Sequence, residues 1–190
     1  MAHKIITAPT LEPVTLAEAK AQCRVDSSDE DALLAIYIAS ARESAEHITG
    51  RKFMQQTWEM QLDEFPCNEI KLPFKNVTTI DSVKYLDATG TLTTINQANY
   101  TLLNDTLEDW VILAYGQAWP VTYDSAQAVR IQFKAGTTDV LQVPAGVRQW
   151  ILLAVGLFYK NRETANELEM FNLPRNFADG LLDKSWVPVL

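Results

Sequence analysis

The sequence predicts an α+β protein: a small α-helical bundle formed by N- and C-terminal helices, with an antiparallel β segment inserted between them. Three observations predict it. Apolar residues recur at spacings of three and four near both ends of the 190-residue chain. Between about 55 and 140 the spacing changes to two, the period of a half-buried strand. The helices on either flank carry apolar faces that need a partner, so they are expected to pack on each other, with the whole chain, 1–190, as a single domain.

The first helix is expected over about 15–24. Thr15 and Glu18 form a capping box, in which each side chain bonds the backbone of the other, and Leu16, Ala19 and Cys23 share one stripe. The second is expected over about 28–49. Ser28 opens it, Asp29, Glu30 and Asp31 lie in its first turn where the helix dipole favours negative charge, and Gly50 stops it. Leu34, Tyr37, Ile38, Ala41, Ala45 and Ile48 make its apolar stripe, and Ala35, Ala39, Ala41 and Ala45 keep it slim.

Short strands follow, with Trp58, Met60 and Leu62 alternating with polar residues and Val129, Ile131 and Phe133 doing the same near the end. Asp87-Ala88-Thr89-Gly90 is expected to turn a hairpin, and His3 to lie near a mobile terminus. A third helix is expected over about 144–162. Pro144 starts it, apolar residues run most of the way round it, and Gly156 would allow close backbone contact. A fourth is expected over about 174–183, after a polar stretch at 163–172.

Composition narrows the function. A chain with 47% hydrophobic and 21% charged residues has enough apolar material for a core, so disorder is not expected. The formal charge of −8 argues against tight binding along DNA phosphates, which needs clustered cations. Cys23 and Cys67 read as reduced thiols rather than a disulfide framework. No signal peptide is evident, and the apolar run 150–159 falls short of the ~20 residues that span a bilayer, so no membrane partner is expected.

No catalytic, cofactor-binding or metal-binding residue is identified. Glycine-rich phosphate loops, a C-x-x-C pair and a G-x-S-x-G elbow are all missing, and Asp26–Asp31 lacks the glycine and distal glutamate of a calcium loop. His47 reads as favourable charge at a helix C-terminus. Carboxylate pairs such as Glu43 with Glu46 or Asp63 with Glu64 read as solvated surface, leaving an enzyme using surface carboxylates as the weakest reading. Tyr115, Trp119, Trp150, Phe158, Tyr159 and Trp186 are either core or anchors for a neighbouring subunit.

The order of these signals carries a resemblance. Pro13 to Lys20, Arg24-Val25-Asp26, Asp29-Glu30-Asp31, Tyr37 to Arg42 and Thr49-Gly50-Arg51 together resemble the opening of the head–tail connector (head-completion adaptor) proteins of tailed phages. Gln56 to Glu59 leading to Leu72-Pro73 resembles the β insertion of one branch of that family. Tyr115 to Pro120, Pro144 to Gln149, Tyr159 to Glu163, Gly180 to Asp183 and Val187-Pro188 are similar to later family segments.

The resemblance implies a structural virion protein without cofactor or catalysis, forming a homo-oligomeric ring, roughly twelve-fold, at the portal vertex. There it would join the DNA-filled head to the tail, extend the DNA channel, and meet the portal protein and a tail or stopper protein. It would reside in the virion neck, and in the host cytoplasm during assembly or encoded in a prophage. DNA would pass without specific binding, loosely centred by like charge. The alternative is another phage neck or tail-completion module. Phe177, Leu181, Leu182 and Trp186 are the candidate portal or subunit interface, with packing inside their own subunit left open. Arg42, Arg51 and Arg148 are expected in subunit or helix-end ion pairs.

Overall fold

The computed structural model describes residues 2–161 and 180–186. They divide into two compact units, one of residues 2–10 and 55–136, the other of 11–54, 137–161 and 180–186.

The second unit is helical: α1 (Leu16–Cys23), α2 (Asp31–Thr49) and α3 (Ala145–Lys160). The capping box at α1 forms as the sequence predicts. Thr15 Oγ1 accepts from the Glu18 N–H at 3.2 Å, and the Glu18 carboxylate accepts from the Thr15 N–H at 2.8 Å. Gly50, at φ 67°, ends α2 in the left-handed conformation and returns its N–H to the Glu46 carbonyl. The start of α2 is later than expected, because Asp31 N–H bonds the Ser28 carbonyl in a turn and Glu30, without a side-chain cap, stands before the first helical residue.

The core of this unit is a seam of small and branched residues. Leu34, Ile38, Ala41 and Ala45 of α2 are buried with Val147, Ile151 and Val155 of α3, and Ala19 of α1, Val14, Phe53, Met54, Val143 and Leu182 complete the cluster. Ala41 and Ala45 are fully covered, so α3 approaches α2 closely there, whereas Ala35 is exposed and contributes nothing to the seam. The closest backbone approach is at Gly146 rather than Gly156. A Cβ at Gly146 would lie 2.6 Å from the Leu181 carbonyl oxygen, whereas one at Gly156 would meet only the Gln22 side chain, at 3.7 Å.

The first unit is a two-layer β structure. β1 (Ala2–Thr7), β2 (Gln56–Leu62), β8 (Val129–Ala135), β4 (Val77–Leu86) and β5 (Leu92–Thr94) form a five-stranded sheet in that order, every pair antiparallel. β3 (Ile70–Lys71), β7 (Asp109–Leu113) and β6 (Tyr100–Asn104) form a three-stranded antiparallel sheet. The two share one core, in which Met60, Ile80, Val83, Ile131 and Phe133 of the large sheet meet Ile70, Tyr100 and Val111 of the small one. Asp109 fastens the layers: its carboxylate accepts from the Val77 N–H at 2.8 Å and pairs with Lys75, while its carbonyl accepts from Leu72. The expected hairpin turns at Asp87, whose carboxylate accepts from the Thr89 and Thr91 N–H groups and from the Thr89 and Thr93 hydroxyls.

The predicted fold class is therefore corrected. The chain is not a small helical bundle with one inserted β segment; among the described residues it has three α-helices and two antiparallel sheets, of five and three strands. The β part begins before the helices, since β1 pairs along β2, and it has its own core of thirteen buried residues, the same number as the helical core. β1 left no trace in the sequence pattern because all six of its residues are exposed, so no period-two burial marks it. His3 is held there, 5.0 Å from the Phe74 ring. Of the expected fourth helix only residues 180–183 are described; they form a turn that leads into a 3-10 turn, Asp183–Ser185, and the remainder, with the polar stretch at 163–172, lies outside the described residues.

The two glycines of α3 should respond oppositely to alanine. Gly156→Ala is expected to raise stability by about 0.5–1 kcal/mol through helix propensity. Gly146→Ala is expected to lower it, because the Leu181 backbone blocks the added methyl. Paired thermal melts check both signs.

Candidate interaction surfaces

Among the described residues no group of three His, Cys, Asp or Glu side chains is placed to hold a metal ion. No described helix is long and apolar enough to cross a membrane. A shallow depression is lined by Phe65, Cys67, Trp119, Pro120 and Val121, with Glu64 as its one lining carboxylate and no histidine. Trp119 is fixed there by stacking on Phe65, with ring centroids 4.7 Å apart and planes 2° from parallel, and by donating Nε1–H to the Asn68 carbonyl at 3.2 Å. Both cysteines are free thiols; burial pushes Cys23 upward in pKa, away from the thiolate.

The densest charge cluster serves structure. Arg42 is buried on α2, where its Nε donates to Glu12 at 2.8 Å and its guanidinium pairs with Glu46 at 3.3 Å and with Glu43 at 3.5 Å. Glu46, also buried, accepts from Lys52 at 3.2 Å and from the Phe53 N–H at 3.1 Å. The network thus ties the segment before α1 and the segment after α2 to the middle of α2. Burial pushes the Glu12 carboxyl above its ordinary range even though Arg42 bonds it. Arg148 donates to the Pro13 carbonyl at 3.0 Å and pairs with Glu18, so two of the three arginines singled out in the sequence make ion pairs within their own chain, Arg148 at helix ends and Arg42 in the middle of α2. Arg51 makes none among the described residues, and its Nε is buried without a hydrogen-bond partner.

The candidate interface residues take different places. Leu182 is buried in the helical core, Leu181 is half-buried with its carbonyl against Gly146, and Trp186 is 54% exposed. Phe177 lies outside the described residues. Of the aromatic candidates, Tyr115 is fully exposed, while Trp150, Phe158 and Tyr159 pack against the helical core and Tyr159 donates its hydroxyl to Glu30 at 2.5 Å.

Sequence reasoning missed the outer face of the small sheet, where exposed Leu103 stands opposite half-buried Trp110 and Thr101 opposite half-buried Ile112. The signal was available, since Leu102-Leu103 and Val111-Ile112 are unbroken apolar pairs and a strand covered on one side only must expose one of each. Ile36 on α2 and Leu157 on α3, 60% and 53% exposed, are further apolar groups left uncovered.

Residues 13–87 match the family described as the phage gp6-like head–tail connector protein, so the connector resemblance read from the sequence is borne out. A comparison with curated proteins finds no match. Three solved chains share the fold over 100% of this chain and 97% of theirs. They come from the neck of an empty gene transfer agent (GTA) particle computed with C6 symmetry (22% identity, TM-score 0.82), the virion of the native particle (21%, 0.80) and the neck of the native particle computed with C12 symmetry (20%, 0.80).

Two outcomes test the helical-unit charges. Arg42→Ala removes the bonds that Arg42 makes to Glu12 and Glu46, while Glu46 keeps Lys52 and the Phe53 N–H, and is expected to cost about 1.5–3 kcal/mol in chemical denaturation. Glu18 is held below its ordinary pKa of 4.5, first by the Thr15 N–H and hydroxyl and then by Arg148. Its stabilisation is therefore present above pH 4.5 and lost as pH falls through the lowered folded value. Glu18→Gln should be less stable than wild type at pH 7, and the gap should close as pH drops below 4.5.

Proposed function

We propose that this chain is a structural head–tail connector of a phage-type particle, forming a ring at the portal vertex that joins the DNA-filled head to the tail and extends the DNA channel. The observation that supports it most is a conjunction. The connector family matches over 13–87, and the whole chain shares its fold with chains from particle necks that were computed with six- and twelve-fold symmetry. A subunit in such a ring meets its own copies through contacts repeated around the axis.

The surface suits that role. Leu103 with Trp110, Tyr115, Leu157 and Trp186 offer apolar area on both units. The portal and a stopper or tail protein are the partners this reading assigns, with Leu181, Trp186 and Phe177 as candidate contacts; Leu182, sealed in the helical core, holds that segment in place and offers no surface of its own. Net charge −8 fits a wall that duplex DNA slides past, because like charge prevents retention. The reading is non-enzymatic: the chain acts by shape and contact.

Electron microscopy of the purified protein mixed with its portal tests this. Ring-shaped density added to the portal is the expected result, with no retention of duplex DNA by the assembly at ordinary salt. A portal left bare, or a ring that holds duplex DNA, would count against the reading.

A further inference from the structure

Among the described residues, the outer face of the five-stranded sheet carries more cations than carboxylates to pair with them. The residues pointing away from the core form rows across the strands: Lys4–Glu59–Gln132–Ser82, Ala2–Gln61–Arg130–Lys84–Thr94, and Thr57–Lys134–Thr79. All are polar except Ala2. Four cations stand on this face, Lys4, Lys84, Arg130 and Lys134, against two carboxylates, Glu59 and Asp81, which pair with Lys4 at 3.0 Å and Lys134 at 3.4 Å.

The remaining two cations, Lys84 and Arg130, are directly opposite each other on neighbouring strands, an arrangement that costs stability. Neither makes an ion pair among the described residues, and Arg130 Nε is buried without a hydrogen-bond partner. The local field is positive. Burial pulls the Glu59 pKa up, yet hydrogen bonds from Lys4 and Gln61 and the charges of Lys4 and Arg130 hold it below its ordinary value.

The loops flanking the small sheet carry the opposite surplus. Glu69 immediately precedes β3, Asp105 immediately follows β6, and Glu64 lies in the loop leading to β3; all three are exposed and without an ion pair among the described residues. The outer face of the large sheet therefore carries surplus cations, while beside the small sheet, where Lys71 and Lys75 are matched by Glu108 and Asp109, the flanking loops leave Glu64, Glu69 and Asp105 as surplus carboxylates. A ring of identical subunits needs just such a pair of unlike, complementary surfaces, because a head-to-tail contact joins two different patches.

We infer that the outer face of the five-stranded sheet, centred on Lys84 and Arg130, is a subunit contact that receives the acidic loops flanking the small sheet, with Glu64 and Glu69, of a second copy. This rests on the ring reading above and adds to it the surfaces that meet. The unneutralised Lys84–Arg130 pair is then a cost to the free subunit that assembly removes.

Lys84→Glu separates the alternatives, because it acts in opposite directions on fold and assembly. Opposite Arg130 a glutamate makes a cross-strand ion pair, so the variant's melting temperature is expected to rise. Its ring formation on the portal, read by electron microscopy and sedimentation at 50 mM salt, is expected to weaken about tenfold or more. Glu64→Lys with Glu69→Lys should weaken assembly similarly, and mixing the two variants should restore mixed rings. Wild-type rings accompanied by equally good Lys84→Glu rings would overturn the contact while leaving the ring reading intact. Absence of wild-type rings would overturn both. Unchanged self-assembly with lost binding of a random-sequence DNA duplex would assign the face to phosphates instead.

Discussion

The phase of β8 is the constraint from which the β unit follows. Val129, Ile131, Phe133 and Ala135 are completely buried, and Arg130, Gln132 and Lys134 alternate with them. β8 is the central strand, paired with β2 on one side and β4 on the other, so its phase is imposed on both neighbours. A slip of one residue would drive Arg130 and Lys134 into the core, a cost far beyond what the sheet's hydrogen bonds could offset. The same alternation that seals the core thereby gathers cations on the opposite face. Core and outer surface are two consequences of one periodicity.

The helical unit obeys a different economy. Its seam uses alanines and branched residues to bring α2 and α3 close, and its termini are held by charge. A buried ion cluster of the Arg42–Glu46 kind contributes little net stability compared with an apolar replacement, because both ions give up hydration. What it supplies is definition: Glu46 can satisfy Arg42, Lys52 and the Phe53 N–H together only when the chain leaves α2 along one path. In the proposed ring, any error in that path would be repeated around the axis.

Much of this was legible in the residues, and the misses have physical causes. The Thr15–Glu18 box, the Gly50 stop and the Asp87–Gly90 hairpin were readable because each is a local device whose chemistry is complete within a few residues. The central alternation at 129–135 was readable because one face is fully covered. β1 was not, because its hydrogen bonds go to a strand more than fifty residues away and its side chains are all exposed. The weight of the β part was underestimated for a related reason: the small sheet is made of short strands whose burial depends on the large sheet, which is long-range information. Of the site, Arg42 and Arg148 were found by residue type, whereas the juxtaposition of Lys84 with Arg130 depends on strand register that periodicity alone does not set.

The central claim is that unlike faces of this subunit were shaped to meet in a closed ring. A cryo-electron microscopy map of the assembled neck, resolved to side chains, tests it most directly. The account predicts Lys84 and Arg130 within ion-pair distance of carboxylates on the adjacent copy. A map in which that face looks onto open solvent, or in which the chain occupies the particle as a lone subunit, would contradict it.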